Sequence, residues 1–312
     1  MLPNDFIQIL KKTYPKDYSK ILQTFNNKYP TTFRVNTIKS NIQKVQLELR
    51  EKGIIVKEGP FLNSFVVIND KKELISKTNL VDKGFIYMQE LASMIPPLIL
   101  NPKENEYILD LTSAPGSKTT QICALVNNKA KILANEKSYV RYQKLLFNLK
   151  LQNCTSVKTV NFNGMFLFKK YPEFINFFDK ILLDTPCSNE GRFNTNNPKT
   201  YKYWSKNKIK EMTNVQRGLL VSAIKMLKPG GKLVYSTCTI NPYENEQNIN
   251  WAINKYKNIK IEQVDLQIDN QTCGLTEFEN LKFNSDLSKT LRLLPNKYFG
   301  AFFVAKLTKK LE

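Results

Sequence analysis

The chain has 312 residues, of which 42% are hydrophobic and 24% charged, enough for one large folded domain and a small one. It contains no histidine. That excludes a histidine-based nucleophilic triad and any histidine-ligated metal site, and leaves proton transfer to carboxylates, lysine, tyrosine, cysteine or water. A net charge of +20 favours polyanionic partners, nucleic acid first among them.

Five cysteines are an odd number, and no pair of them has metal-ligand spacing. Free thiols in a reducing compartment follow, so the expected location is cytoplasmic. The apolar run at 94–100 is far too short to span a bilayer. The first twenty residues mix charge throughout and hold no signal-peptide core. A soluble protein without a membrane partner or a metal is expected.

In chain order, residues 1–82 read as a small α+β unit. It has a helix over 5–12, a strand in TTFRVNT (31–37), an amphipathic helix over 40–52 closed by Gly53, and strands over 54–58 and 65–69 on either side of Gly59-Pro60. From 83 to 312 short apolar runs alternate with helical stretches. Strands are predicted over 107–111, 131–135, 156–160, 178–184, 231–237, 259–264 and 301–307. This rhythm predicts a doubly wound α/β, Rossmann-like sheet, whose ligands bind at the carboxyl ends of its strands.

The first predicted strand ends in TSAPGSKTT (112–120). Small residues let the backbone approach a ligand, and the helix that follows presents free amides to an anion. With one glycine it is neither a Walker loop nor G-x-G-x-x-G, and alone it reads equally as an ordinary tight turn. The second strand ends in Glu136, where an acid commonly holds a ribose. Together the turn and the acid suggest a nucleoside cofactor.

The fourth and fifth strands run into LLDTPCSNEG and VYSTCTINPYENE. In a sheet ordered 3-2-1-4-5 these ends are neighbours, so Cys187 and Cys238 should emerge together over one crevice. Cys123, Cys154 and Cys273 are expected to be small buried hydrophobes. Asp184 ends an apolar strand beside the reach of Lys118. The two form either a buried ion pair or part of a site in which the lysine lowers a thiol pKa.

DLTSAPGSKTTQ, LLDTPCSNEGRF and YSTCTINPYENE resemble, in that order, the signature motifs of the Sun (Fmu/RsmB/RsmF-like) family of RNA cytosine-carbon-5 methyltransferases. FRVNT, YMQELASMIPP and LRLLPNKYFGAFFVAKL agree, so the likeness runs from about Phe33 to Leu307. The resemblance implies a Rossmann-like S-adenosylmethionine-dependent methyltransferase sheet with a small N-terminal domain that faces RNA. It implies S-adenosylmethionine held by Thr112, Ser113, Ala114, Pro115, Gly116, Ser117 and Lys118, with Glu136 on the ribose, Asn163 near the adenine and Asp184 close by. Cys238 is the implied nucleophile toward cytosine carbon 6, and Cys187 the thiol that assists product release. Asp184 and Lys118 polarise and position the base, which must leave its stack to reach the thiol.

Three positions depart from the family pattern. Asn163 replaces an aspartate and keeps one acceptor, Asn189 replaces a glycine but tolerates positive φ, and Ser113 replaces an alanine. A DNA cytosine methyltransferase attacks with the Pro-Cys cysteine and lacks the second, which YSTCT and FRVNT disfavour. An idle RNA-binding factor is disfavoured because Cys187, Cys238, Asp184 and Lys118 are all present. Similarity in length to archaeal enzymes favours tRNA over ribosomal RNA as substrate. A monomer is expected, with Arg34 and Asn36 in a basic, RNA-facing N-terminal unit.

Overall fold

A computed structural model describes residues 1–69 and 72–311. Helices α1 (Asn4–Thr13) and α2 (Tyr18–Thr24) come first. The small unit follows as β1 (Thr32–Val35), α3 (Ile42–Glu51), β2 (Val56–Glu58), β3 (Ser64–Val67), single-turn helices α4 (Lys72–Ile75) and α5 (Asn79–Asp82), and β4 (Ile86–Met88). Its antiparallel sheet has the order β2-β3-β1-β4. Asn41 caps α3 by accepting from the Lys44 N–H at 2.9 Å. The helix closes at Gly53 as expected, with the Gly53 and Ile54 N–H groups bonded back to Arg50 and Leu49. Val45 and Leu49, one turn apart, pack with Phe33, Phe65 and Leu80.

Three expectations for this region change. The hydrogen-bonded sheet extends beyond 82, because Ile86–Met88 pairs with β1 in the register Arg34 to Tyr87. Helices α1 and α2, with the Phe25 that follows, bury Phe6, Leu10, Ile21 and Phe25 against Phe193, Tyr201 and Ile240 of the larger unit rather than on the small sheet. Arg34 and Asn36 are also not surface groups. Arg34 donates to Gln89 Oε1 at 2.8 Å and Thr120 Oγ1 at 2.5 Å. Asn36 Nδ2 donates to the carbonyls of Gly84 (3.0 Å) and Gln152 (2.9 Å). Both are buried and staple the small sheet to the larger unit, and burial pushes the Arg34 pKa down to about 10. Arg34→Ala strands these partners, so unfolding in urea should show a loss of about 3 kcal/mol.

The larger unit begins with α6 (Leu91–Leu100), β5 (Tyr107–Asp110), α7 (Ser117–Leu125), β6 (Lys131–Asn135), α8 (Tyr139–Leu151), β7 (Val157–Val160) and α9 (Leu167–Lys170). It continues with β8 (Phe178–Asp184), α10 (Lys206–Met226), β9 (Leu227–Thr237), α11 (Glu246–Lys255) and β10 (Ile259–Glu262). Then come β11 (Gln271–Cys273), the short hairpin β12 (Glu277–Phe278) and β13 (Leu281–Lys282), β14 (Leu291–Leu293) and β15 (Phe302–Lys309). The main sheet is ordered β11-β14-β15-β9-β8-β5-β6-β7, with β10 also paired to β15. Strands β7, β6, β5, β8 and β9 are parallel, and β15 runs antiparallel beside β9. All seven predicted strands are present, and the first five stand in the expected 3-2-1-4-5 order.

The apolar runs are continuous because both faces are covered. Ile108, Leu182 and Val234 bury into one core, and their neighbours Leu109, Leu183 and Leu233 into the other. Helix α6 holds Pro96 and Pro97. The Ser93 carbonyl, which Pro97 cannot serve, accepts instead from the Gln89 side chain at 3.2 Å. Cys123 and Cys154 are buried, but Cys273 is exposed, because its short strand β11 pairs with β14 on one side only, at the sheet edge. Among the described residues no helix is long and apolar enough to cross a membrane.

Candidate active site

A cavity of about 920 Å³ opens at the carboxyl ends of β5, β6, β8 and β9. Thr112, Ser113, Ala114, Pro115, Ser117, Lys118, Glu136, Asn163, Asp184, Cys187 and Cys238 all line it. Gly116 does not. It turns the chain into α7 at φ 107°, a conformation that strains any side chain, and an added Cβ would lie 3.2 Å from Leu145 Cδ1. The turn is held from several sides. Thr112 Oγ1 donates to the Asp184 carbonyl at 2.9 Å, and Ser113 Oγ to the Asn135 carbonyl at 2.7 Å. Asn148 donates to the Pro115 carbonyl at 2.7 Å, and the Arg141 guanidinium to that of Ala114. The hydroxyl of Ser113 thus stitches β5 to β6, a tie that alanine cannot make.

Glu136 is buried, with Oε1 accepting from the Ser138 N–H at 2.8 Å and Oε2 lying 3.7 Å from Arg141. Asn163 Oδ1 accepts from the Met165 N–H at 3.2 Å, which leaves a second lone pair for a ligand. Deeper in, Asp110 Oδ1 and Asn135 Oδ1 are buried without a protein partner. Burial pushes the Asp110 carboxyl up to about 7, against the Thr119 hydroxyl bond.

At the other end, Cys187 Sγ and Cys238 Sγ lie 3.2 Å apart, beyond the roughly 2.05 Å of a disulfide. The two thiols are unequal. Cys187 is fully buried, and its bond to Cys238 together with burial pushes its pKa up. Cys238 is lowered, first by the Cys187 thiol and then, against burial, by the charges of Arg192 and Lys118. Asn189 sits at φ 60° and brings its Oδ1 to 3.0 Å from Cys238 Sγ. Lys118 Nζ lies 2.5 Å from Asp184 Oδ2 and 2.7 Å from Ser93 Oγ, while Ser236 donates to Asp184 Oδ1 at 2.7 Å. The ion pair and the thiols therefore share one wall of the cavity.

The sequence reading missed three charged residues inside the motifs it quoted. Glu190 is fully buried and accepts from Trp204 Nε1 (2.8 Å), Thr239 Oγ1 (2.8 Å) and Asn241 Nδ2 (3.0 Å). It thereby ties the Cys187 loop to the Cys238 loop. Glu244 accepts from the Ser188 N–H at 3.0 Å and Gln216 at 2.8 Å, and burial, then Glu190, pushes its carboxyl up to about 8. Both glutamates stand in polar loop stretches, and their buried partners come from distant segments, so the sequence carried no local signal for either. Arg192 lines the cavity, pairs with Glu90 at 3.5 Å, and follows Gly191, whose N–H donates to the Cys238 carbonyl at 2.9 Å. At Gly191 an added Cβ would meet the Ala301 carbonyl at 2.1 Å, so only glycine lets the two loops close. Arg192→Met should raise the pH midpoint for iodoacetamide alkylation of Cys238, since it removes a cation that favours the thiolate. Peptide mapping at a series of pH values reads this directly.

The cavity suits a charged nucleoside: free amides at the start of α7 for a carboxylate, unpartnered acceptors on Asp110 and Asn135 for an ammonium, Glu136 for a ribose diol and Asn163 for an adenine edge. On this sheet, with strand β15 reversed beside β9, those features define an S-adenosylmethionine-dependent methyltransferase. Residues 97–308 match the family model for the 16S rRNA methyltransferase RsmB/F, and residues 2–74 match that of the ferredoxin-like domain of RsmF/B-like methyltransferases. The chain belongs to the RsmB/F family of RNA cytosine-C5 methyltransferases.

The tRNA (cytosine(49)-C(5))-methyltransferase of Pyrococcus abyssi is 36% identical over 89% of this chain and 88% of its own length. The ribosomal RNA small subunit methyltransferase F of Pectobacterium carotovorum is 31% identical over 99% of this chain, which spans 63% of that relative. Among solved structures, a methyltransferase homolog from Pyrococcus horikoshii superposes with a TM-score of 0.84 at 29% identity, covering 97% of this chain and 94% of the other. NSun6 from the same organism, solved with SFG, gives 0.82 at 26% identity over 99% of each chain.

Proposed function

We propose that this chain methylates carbon 5 of cytosine in tRNA, as a cytoplasmic monomer, through a covalent adduct between Cys238 and cytosine carbon 6. The observation that carries the reading is the unequal thiol pair, 3.2 Å apart, beside the Lys118–Asp184 pair in the cavity that holds the cofactor turn.

Arg192 and Lys118 favour the thiolate of Cys238, which adds to carbon 6 and makes carbon 5 nucleophilic. Lys118 and Asp184 polarise the cytosine edge. Thr112, Ser113, Ala114, Pro115, Ser117, Lys118, Glu136, Asn163 and Asp184 would hold S-adenosylmethionine, which supplies the methyl group. After methyl transfer the carbon 5 proton passes to a base and the Cys238 sulfur departs. Cys187, whose raised pKa keeps it a neutral thiol, donates to the departing thiolate and so assists release.

The tRNA preference is supported by the 36% identity to the Pyrococcus abyssi enzyme. The ribosomal relatives, at 31% identity over 99% of this chain, make ribosomal RNA the second reading. Incubation with S-adenosylmethionine and unmodified tRNA or small-subunit ribosomal RNA transcripts, followed by nucleoside mass spectrometry, separates the two. The expected result is 5-methylcytidine in tRNA. Signal in ribosomal RNA alone reverses the substrate assignment.

A further inference from the structure

We propose that Lys57, Lys297 and Tyr298 form a docking platform for a nucleotide that flanks the target cytidine, with the lysines on its phosphate and the tyrosine ring on its base. This rests on the reading of RNA as the substrate. Lys57 belongs to β2, the edge strand of the small sheet, whereas Lys297 and Tyr298 lie in the connection from β14 to β15. The platform therefore straddles the two units. Lys57 Nζ donates to Tyr298 Oη at 2.8 Å and sits 4.5 Å from the ring centroid, with Lys297 Nζ 5.1 Å from the same ring.

Two ammonium groups on one ring repel each other, and among the described residues neither has a carboxylate within 4.0 Å. A staple between units needs one such lysine. A pair without counter-charge is a site for an anion, and an aromatic face beside it is a site for a base.

The loop is pre-formed. Asn296 Oδ1 accepts from the N–H groups of Tyr298 (2.7 Å) and Phe299 (2.9 Å), and Phe299 packs edge-on against Phe61 with ring centroids 6.2 Å apart. Phe299 is thus buried and anchors the turn that carries Tyr298. The platform is also near the chemistry. Gly300 lies two residues on, at most about 7 Å of chain, and packs on the backbone of Gly191, which is bonded to the Cys238 carbonyl.

The test is fluorescence anisotropy of a labelled tRNA transcript on the full chain across a KCl series. Lys57→Gln with Lys297→Gln should lower the slope of log affinity against log salt by about 0.7 to 0.9, as for one phosphate no longer neutralised. The same pair changed to arginine should keep the wild-type slope. Tyr298→Ala should weaken binding about tenfold with the slope retained. Wild-type affinity and slope in the double glutamine variant overturn the platform. So does an affinity loss that follows a lowered melting temperature at constant slope, the signature of a staple between units. If the wild type binds with the expected slopes but forms no 5-methylcytidine, the reaction assignment fails and the platform stands.

Discussion

Cys238→Ala is expected to lower turnover by about 10⁴-fold or more. The neighbouring thiol is no substitute. Cys187 is fully buried, and burial, which persists when its Cys238 partner is removed, pushes its pKa up and disfavours its thiolate. Cys238 is half-exposed to the cavity and feels the charges of Arg192 and Lys118. Loss of Cys238 thus removes the only sulfur of the pair disposed to ionise. The substitution is small, and the loop remains tied by Glu190 to Thr239 and Asn241, so the folded state should survive. A methyl-transfer assay with a melting curve on the same sample separates lost chemistry from lost fold.

Lys118→Met and Asp184→Asn are each expected to reduce turnover by about 10² to 10³-fold. The lysine side chain is nearly buried, and its ammonium donates to Asp184 Oδ2 and Ser93 Oγ and lies over the Phe302 ring, 6.0 Å from its centroid. Removing the carboxylate charge leaves that ammonium uncompensated, which also weakens the fold by about 3 kcal/mol. Lys118→Met leaves Asp184 bonded to Ser236 but removes a cation whose charge favours the Cys238 thiolate and which is proposed to polarise the base. Because the two residues act as one unit, the double variant should be little worse than either single one. Single-turnover rates on all three proteins decide this, and losses that multiply would show that the residues act separately.

Much of this was legible in the sequence. The seven main strands were readable because a sheet covered on both faces demands unbroken apolar runs, as at Leu182–Leu183 and Leu233–Val234. Helix α6 was not, because Pro96 and Pro97 disfavour it on local grounds, and the Gln89 side chain, outside the helix, donates to the Ser93 carbonyl that Pro97 cannot serve. Strands β11 and β14 are three residues each and exist only through pairing with distant partners. Arg34 was placed in an RNA-facing unit because charge alone does not reveal the buried acceptors Gln89 and Thr120 that await it.

The same division runs through the site. Strand order brought Cys187 and Cys238 together, and the short reach from α7 to β8 paired Lys118 with Asp184. The cofactor turn was weak on its own residues and became specific through the family motifs. Glu190, Glu244 and Arg192 went unread because their partners lie in other segments, and no spacing rule connects Glu190 to Trp204 or Glu244 to Gln216.

The most direct test of the account is to locate the covalent adduct. Cys187→Ala protein is incubated with S-adenosylmethionine and tRNA transcript and resolved on a denaturing gel, and the retained complex is digested for peptide mapping. The account predicts a complex stable to denaturation, with the nucleotide on the peptide that contains Cys238, because release has lost its thiol donor. Accumulation of the complex by Cys238→Ala instead, with the nucleotide on Cys187, would reverse the roles of the two cysteines and contradict it.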